Sequence, residues 1–315
     1  MTLYRFTNEQ HVACPKAGQE LIHVDCVSHT YPDGSVGIHQ MCFHVHPGEI
    51  VGLCGANGSG KSTLIEHLNG LLEPSEGRIA VLGAEMKGRR KDIWKNVGIV
   101  FQRSDDQLFA PTVLDDVMFG PVNMGLSIDA ARKAAEEALN MVGAMHLAQK
   151  MPNYLSGGQK RLVCIAGVLA MKPKVIAMDE PTSDLDPQHA EIVEQIIRDL
   201  RSKHDISVVI ATHDMDMAAR LCDRICVVKG GSIIADGTPA DVFYDEPTLV
   251  ESGLKKPRVA ETYEAICRVT GTSPCNRPIT PEELALCVEE IMKEKLKANL
   301  GDTQNKSQDT ITGGI

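Results

Sequence analysis

An apolar run, Ile50-Val51-Gly52-Leu53-Cys54, leads without a break into Gly55-Ala56-Asn57-Gly58-Ser59-Gly60-Lys61-Ser62-Thr63, and an amphipathic segment follows. The order reads as strand, glycine loop, helix. Glycines tolerate the positive φ of a tight turn, so successive N–H groups converge on a polyphosphate. The helix opening near Lys61 aims its positive dipole end at the same point. Lys61 is placed to reach the β- and γ-phosphates, and the Ser62 hydroxyl to ligate the Mg²⁺ that bridges them. The stretch is therefore expected to be a nucleotide site.

The chain has 315 residues, more than a single core usually supports, so one large domain plus an appendage is expected. The net charge of −10 argues against a nucleic-acid face. No terminal segment has the order of a signal peptide. The longest apolar run, residues 162–171 between Arg161 and Lys172, is about half the roughly 20 residues that a membrane span needs. Ten cysteines lie scattered with no C-x₂-C pair, a distribution that suits free thiols in a reducing cytosol. Cys42, His44 and His46 alternate along one strand, but no second ligand cluster has matching spacing, which argues against a metal site there.

Residues 1–20 show no periodicity and read as a lead-in. Residues 21–27 and 37–46 read as two strands around the turn Pro32-Asp33-Gly34, forming an antiparallel edge, and Tyr31 stands at the start of that turn. A helix over 61–71, a strand over 78–82 and a β-rich run over 96–102 follow, the last ending in Gln102. Ser127 reads as an N-cap, with Ile128, Ala131, Ala135, Ala138, Leu139 and Val142 at helical spacing behind it. The chain is nearly strand-free from 104 to about 170, which marks a helical subdomain inserted into an α/β core. Within it, Leu155-Ser156-Gly157-Gly158-Gln159 places two glycines at a helix start, a second anion-binding arrangement.

Val175-Ile176-Ala177-Met178 forms a continuous apolar strand, as buried parallel strands do, and ends in Asp179-Glu180. An acid there can hold Mg²⁺, and the next carboxylate can orient or deprotonate an attacking water. The strand over 206–210 delivers Thr212-His213-Asp214, and a histidine at that place suits contact with a γ-phosphate.

Five motifs in this order resemble the ATP-binding subunit of an ABC transporter, over roughly residues 20–245. They are the phosphate loop 55–63, Gln102, the signature 155–159, Asp179-Glu180 and His213. The resemblance implies a P-loop α/β core with a mainly parallel sheet, an antiparallel β edge and the inserted helical subdomain. It also implies ATP and Mg²⁺ as cofactors. By it, Gly55, Asn57, Gly58, Ser59, Gly60, Lys61, Ser62 and Thr63 hold the phosphates, Tyr31 stacks on adenine, and Ser62, Gln102 and Asp179 attend the metal. Glu180, His213 and Gln102 carry the catalysis, while Ser156, Gly158 and Gln159 serve the nucleotide of a second subunit in a head-to-tail homo- or heterodimer. The implied place is the cytoplasmic face of the membrane, bound to integral transporter subunits.

Asp105 to Pro121 and the later Gly237-Thr238-Pro239-Ala240-Asp241-Val242-Phe243 are similar to importers of the energy-coupling-factor type, with cobalt and nickel import subunits the nearest match. Leu108, Phe109, Val113 and Met118 are expected to be exposed among paired acids and to form a groove for a helix of a basic membrane partner. Two positions depart from the family pattern. Asp184 stands where a small residue is usual, and Leu162 where an arginine is common after the signature. A soluble ABC-type ATPase of translation normally carries two cassettes, and one of repair a long coiled coil; this chain has one cassette and no coiled coil. Residues 246–315 lie outside the strong resemblance. Helices are expected over 260–270 and 281–299, with a polar, disordered end over 301–314.

Overall fold

The computed structural model describes residues 4–5, 20–86, 93–273 and 276–309. The chain divides into two compact units, 1–254 and 255–315. The first has two sheets. One is seven-stranded, in the order β1 (Tyr4–Arg5), β11 (Ser232–Gly237), β10 (Arg224–Lys229), β4 (Ile50–Cys54), β9 (Ser207–Thr212), β8 (Val175–Asp179), β7 (Val97–Val100). From β10 to β7 all neighbours are parallel, whereas β11 pairs antiparallel with both β10 and β1. Every residue of β4 is buried, as its unbroken apolar sequence requires of a central strand covered on both faces.

The antiparallel strands form a sheet of their own, β3 (Val36–Val45), β2 (Ile22–Thr30), β5 (Glu76–Val81) and β6 (Ala84–Glu85). The non-local pairing of Ile22 with Val81 and Val24 with Ile79 builds it. The principal core lies between the two sheets: Val24, Phe43 and Ile79 from one and Leu53, Ala177 and Val209 from the other. Leu64 and Leu68 of α1 (Lys61–Asn69) join the same cluster. Gly70, in the left-handed region at φ 84°, ends that helix two residues before the expected point.

Helices α2 (Val113–Asn123), α3 (Ile128–Met141) and α4 (Gly157–Leu169) make the helical insertion. Thr112, Ser127 and Ser156 cap their first turns through side-chain oxygens. Ala131, Ala134, Ala135 and Ala138 of α3 face inward, but Ile128 is exposed at the first turn. Helices α5 (Pro187–His204), α6 (Met215–Leu221), α7 (Pro239–Phe243) and α8 (Glu246–Ser252) complete this unit.

The second unit contains α9 (Arg258–Thr270) and α10 (Pro281–Asp309), with Tyr263, Cys267, Cys287 and Ile291 buried. Helix α10 runs past the expected 299, because Gly301 alone costs only about 1 kcal/mol and no proline follows it. Most of the lead-in and residues 310–315 lie outside the described residues.

Among the described residues Cys54, Cys164, Cys222, Cys226 and Cys267 are free thiols, but Cys42 is disulfide-bonded, a departure from the expectation of free thiols throughout. His44 and His46 stack edge to face at 4.9 Å and join no ligand cluster among the described residues.

Candidate functional site

Parallel register sets the site. Cys54 of β4 lies level with Thr212 of β9, and Asp179 of β8 with Ala211, so the phosphate loop, the two acids and His213 emerge along one sheet edge. Such an edge, outside the carboxyl ends of parallel strands, is where α/β sheets bind ligands.

A cavity of about 330 Å³ opens there. Tyr31, Asn57, Gly58, Gly60, Lys61, Ser62, Thr63, Gln102, Asp179 and Glu180 all line it, with Val36 and Gly37, which the sequence pattern did not single out. Gly55 and Ser59 of the same loop do not line the cavity. A Cβ on Gly55 would stand 2.3 Å from the Val228 carbonyl oxygen, and one on Gly60 2.6 Å from that of Gly37. The backbone is therefore packed so closely that glycine is required at both places, and Gly60 also has φ 107°. Lys61 is buried, its Nζ donating to the carbonyls of Gly55 at 2.8 Å and Ala56 at 3.1 Å. Its charge is thus held inside the curve of the loop. The Ser59 hydroxyl is buried there with no hydrogen-bond partner among the described residues. An inturned cation, an unsatisfied hydroxyl and a helix N-terminus form a donor set that fits a polyphosphate.

Tyr31 is half-buried. Its hydroxyl lies 2.9 Å from Thr63 Oγ1 and its ring packs edge to face on His29 at 4.7 Å. Gly37 permits this: a Cβ there would come within 2.8 Å of the Tyr31 ring and 2.9 Å of the Thr63 methyl.

Asp179 and Glu180 differ sharply. Burial pushes the Asp179 carboxyl above its usual range, as does the charge of Glu180, while a hydrogen bond from Ser62 and the charge of Lys61 pull it back. Ser62 and Asp179 thus already form an oxygen pair suited to a hard cation. Glu180 is 6% exposed and has φ 46°, a strained conformation for a residue with a Cβ. Its Oε1 accepts from the His213 backbone N at 3.1 Å and from Nδ1 at 2.7 Å, and its Oε2 from Thr212 Oγ1 at 3.2 Å. His213 therefore meets the cavity through Glu180. Thr212 is a partner the sequence pattern did not reveal, since only the β8–β9 pairing brings it to the carboxylate.

Ser156, Gly158 and Gln159 do not line this cavity. Ser156 and Gln159 form a reciprocal capping box at the start of α4, both bonds at 3.3 Å, with Ser156 exposed. Gly158 is buried, and a Cβ there would stand 2.2 Å from the His189 ring. Asp184 is exposed, at φ 59°. Leu162 is buried, and the neighbouring Arg161, which the pattern reads as the polar boundary of the apolar run, is 3% exposed.

A second cavity, of about 650 Å³, lies beside the Gln102 loop and is walled by apolar groups such as Leu108, Phe109, Phe119 and Val163. Phe109 is 66% exposed and stacks edge to face on Phe119 at 4.8 Å. Val113 and Met118 are buried instead, because they share the inward stripe of α2 with Leu114, Val117 and Pro121. Asp116 braces this wall, accepting from the N–H groups of Phe109 at 3.0 Å and Ala110 at 2.8 Å.

Residues 38–183 match the ABC transporter family model. A putative ABC transporter ATP-binding protein of Methanothermobacter marburgensis is 44% identical over 250 residues, which cover 78% of this chain and 90% of that protein. The energy-coupling factor transporter ATP-binding protein EcfA of Methanocaldococcus jannaschii is 44% identical over 239 residues, 75% of this chain and 85% of its own. The chain belongs to the ABC transporter ATP-binding proteins, in the energy-coupling-factor group. Among solved structures, cbiO1 of Clostridium perfringens, part of the ABC transporter complex cbiONQ, superposes with a TM-score of 0.67 at 37% identity, covering 78% of this chain and 100% of that one. The ATP-binding cassette MJ0796, solved as a dimer in a post-hydrolysis state with ADP and Pi, gives 0.63 at 29% identity, covering 69% and 98%. The chain is an ABC ATPase of a transporter, and its fold is the P-loop α/β core with a helical insertion. No helix among the described residues is long and apolar enough to cross a membrane.

Proposed function

We propose that this ATPase energises a membrane importer as one of two nucleotide-binding subunits of an energy-coupling-factor complex, held at the cytoplasmic face by integral membrane subunits. The observation that carries the reading is the apolar groove beside Gln102, whose exposed Phe109–Phe119 pair a solitary enzyme has little reason to display. The occupant is a helix of the membrane subunit, laid in by its apolar face.

In the nucleotide cavity Tyr31 meets the adenine, and the loop from Gly55 to Thr63 wraps the phosphates with Lys61 at the β- and γ-groups. Ser62, Asp179 and Gln102 hold Mg²⁺, which when bound neutralises the charge that develops on the phosphate oxygens. Glu180 takes the proton of the water that attacks the γ-phosphorus, and the bond to the ADP oxygen breaks. His213, through its two bonds to Glu180, fixes the carboxylate toward that water and contacts the γ-phosphate. Ser156, Gly158 and Gln159 close over the nucleotide of the second subunit, an arrangement supported by the dimeric state of MJ0796.

The solute is a transition-metal ion, cobalt or nickel, or a vitamin; the metal ion is favoured only by the sequence resemblance to cobalt and nickel import subunits. Selection of the solute belongs to the membrane subunits. The test is purification of the complex from native membranes, identification of the integral proteins that accompany it, and ATP-dependent uptake of radiolabelled cobalt after reconstitution. Uptake of cobalt supports the metal reading. Uptake of a vitamin alone overturns the metal reading, and a chain that brings no integral protein with it overturns the transport reading.

A further inference from the structure

The loop that carries Gln102 is fastened to α4, the helix that carries the signature. Arg161 Nη1 donates to the Phe101 carbonyl at 2.6 Å and Nη2 to the Gln102 carbonyl. Beside it Lys160 Nζ lies 2.6 Å from Asp105 Oδ1, and about one turn on Cys164 Sγ donates to the Ser104 carbonyl at 3.7 Å. Four loop residues in a row of five are thus held by one face of one helix.

Arg161 is the costly member of the set. It is 3% exposed, its Nε is buried with no partner, and no carboxylate among the described residues makes an ion pair with it. A guanidinium buried on carbonyls alone stabilises a fold less than a well-packed Met or Leu would. Its two bonds fork onto consecutive carbonyls, a geometry that a single ammonium does not reproduce. The arrangement is explained by placement rather than by stability.

We propose that Arg161 is a positioning residue for hydrolysis. It locks residues 101–105 to the first turns of α4, so that Gln102 in the nucleotide cavity and the Ser156–Gln159 turn move as one piece. This rests on the reading of Gln102 as a residue of the hydrolytic site. Leu162, where an arginine is common in the family, is buried, and the arginine beside the signature in this chain is Arg161.

The test is steady-state MgATP hydrolysis by Arg161→Met, Arg161→Lys, Gln102→Ala and the double variant Arg161→Met/Gln102→Ala, with thermal unfolding of each. A small displacement of a positioned group costs up to about 100-fold. Arg161→Met is therefore expected to lower kcat by roughly 10- to 100-fold with little change in the KM for ATP and no fall in Tm. Arg161→Lys restores part of the loss. In the Gln102→Ala background, Arg161→Met should lower kcat by less than about twofold, because residues acting through one another are not additive. Additive losses, a raised KM at unchanged kcat, or wild-type kcat in Gln102→Ala would each overturn the proposal. If the methionine variant does not fold, the same cycle with Arg161→Lys decides. The assignment of the nucleotide cavity is judged separately, by whether Lys61→Ala abolishes hydrolysis.

Discussion

Arg224 ties the parallel sheet to the antiparallel one, and its replacement by methionine yields a loss that can be worked out from the structure. The side chain is 1% exposed. Nε and Nη2 donate to Glu49 at 2.7 and 3.2 Å, Nη1 to both Asp236 oxygens at 3.1 and 2.9 Å, and Nη2 also to the His44 carbonyl of β3 at 2.6 Å. Methionine fills much of the volume but leaves two largely buried carboxylates and a carbonyl without their donor. Removing one partner from a buried ionic group costs about 3–5 kcal/mol. For a unit of this size that is roughly 6–20 °C in Tm, at about 2–4 °C per kcal/mol. The pH dependence has a definite sign. Burial raises the Glu49 pKa, but the hydrogen bonds and charge of Arg224 outweigh it and hold the carboxyl below its ordinary value. A depressed carboxylate stabilises the fold above its unfolded pKa, and that contribution is lost as the pH falls through the folded value. In Arg224→Met the depression is gone, so the gap between wild type and variant should be widest near neutrality and narrow in acid. Thermal unfolding from pH 7 down to pH 4 measures it. A variant that melts within about 2 °C of wild type at pH 7, or a gap that grows on acidification, would refute the reasoning.

Other outcomes follow from the same geometry. Glu180→Gln should bind MgATP with near-normal affinity, since the phosphate and metal ligands remain, yet hydrolyse it roughly 10²- to 10⁴-fold more slowly; turnover at the wild-type rate would remove Glu180 from the role of base. In a homodimer, mixing Lys61→Ala chains with Ser156→Arg chains places both defects in one composite site and leaves the other intact, so hydrolysis should partly return. No recovery, with mixed dimers demonstrated, would mean that both sites must act together or that the head-to-tail pairing is wrong.

How much of this was legible in the sequence depended on how local the cause was. The phosphate loop is written in glycines whose close backbone approaches, at Gly55 and Gly60, admit no other residue. Asp179 and Glu180 are legible because a buried parallel strand is continuously apolar and its first charged residues mark its end. Ser127 and Ser156 announce their helices through their own hydroxyls. Non-local causes were not legible. The pairing of β2 with β5 joins residues 22 and 81 and turns an expected sheet edge into a second sheet. Thr212 reaches Glu180 only through strand register, and Arg161 finds the Gln102 carbonyl 59 positions away. Burial on α2 was misread because both sides of that helix carry large apolar residues, and only packing decides that Val113 and Met118 go in and Phe119 stays out.

The central claim is that the apolar groove couples hydrolysis to a membrane partner, and Phe109→Asp tests it most directly. Phe109 is not among the residues that line the nucleotide cavity, and at 66% exposure its loss should cost the fold little. The measurement is co-purification of the variant with its integral membrane subunits, alongside its own ATPase rate and melting temperature. The account predicts wild-type hydrolysis by the isolated subunit, an unchanged melt, and loss of the membrane subunits from the purified complex. A large fall in stability with assembly intact would contradict it, and would place Phe109 in the core and the coupling surface elsewhere.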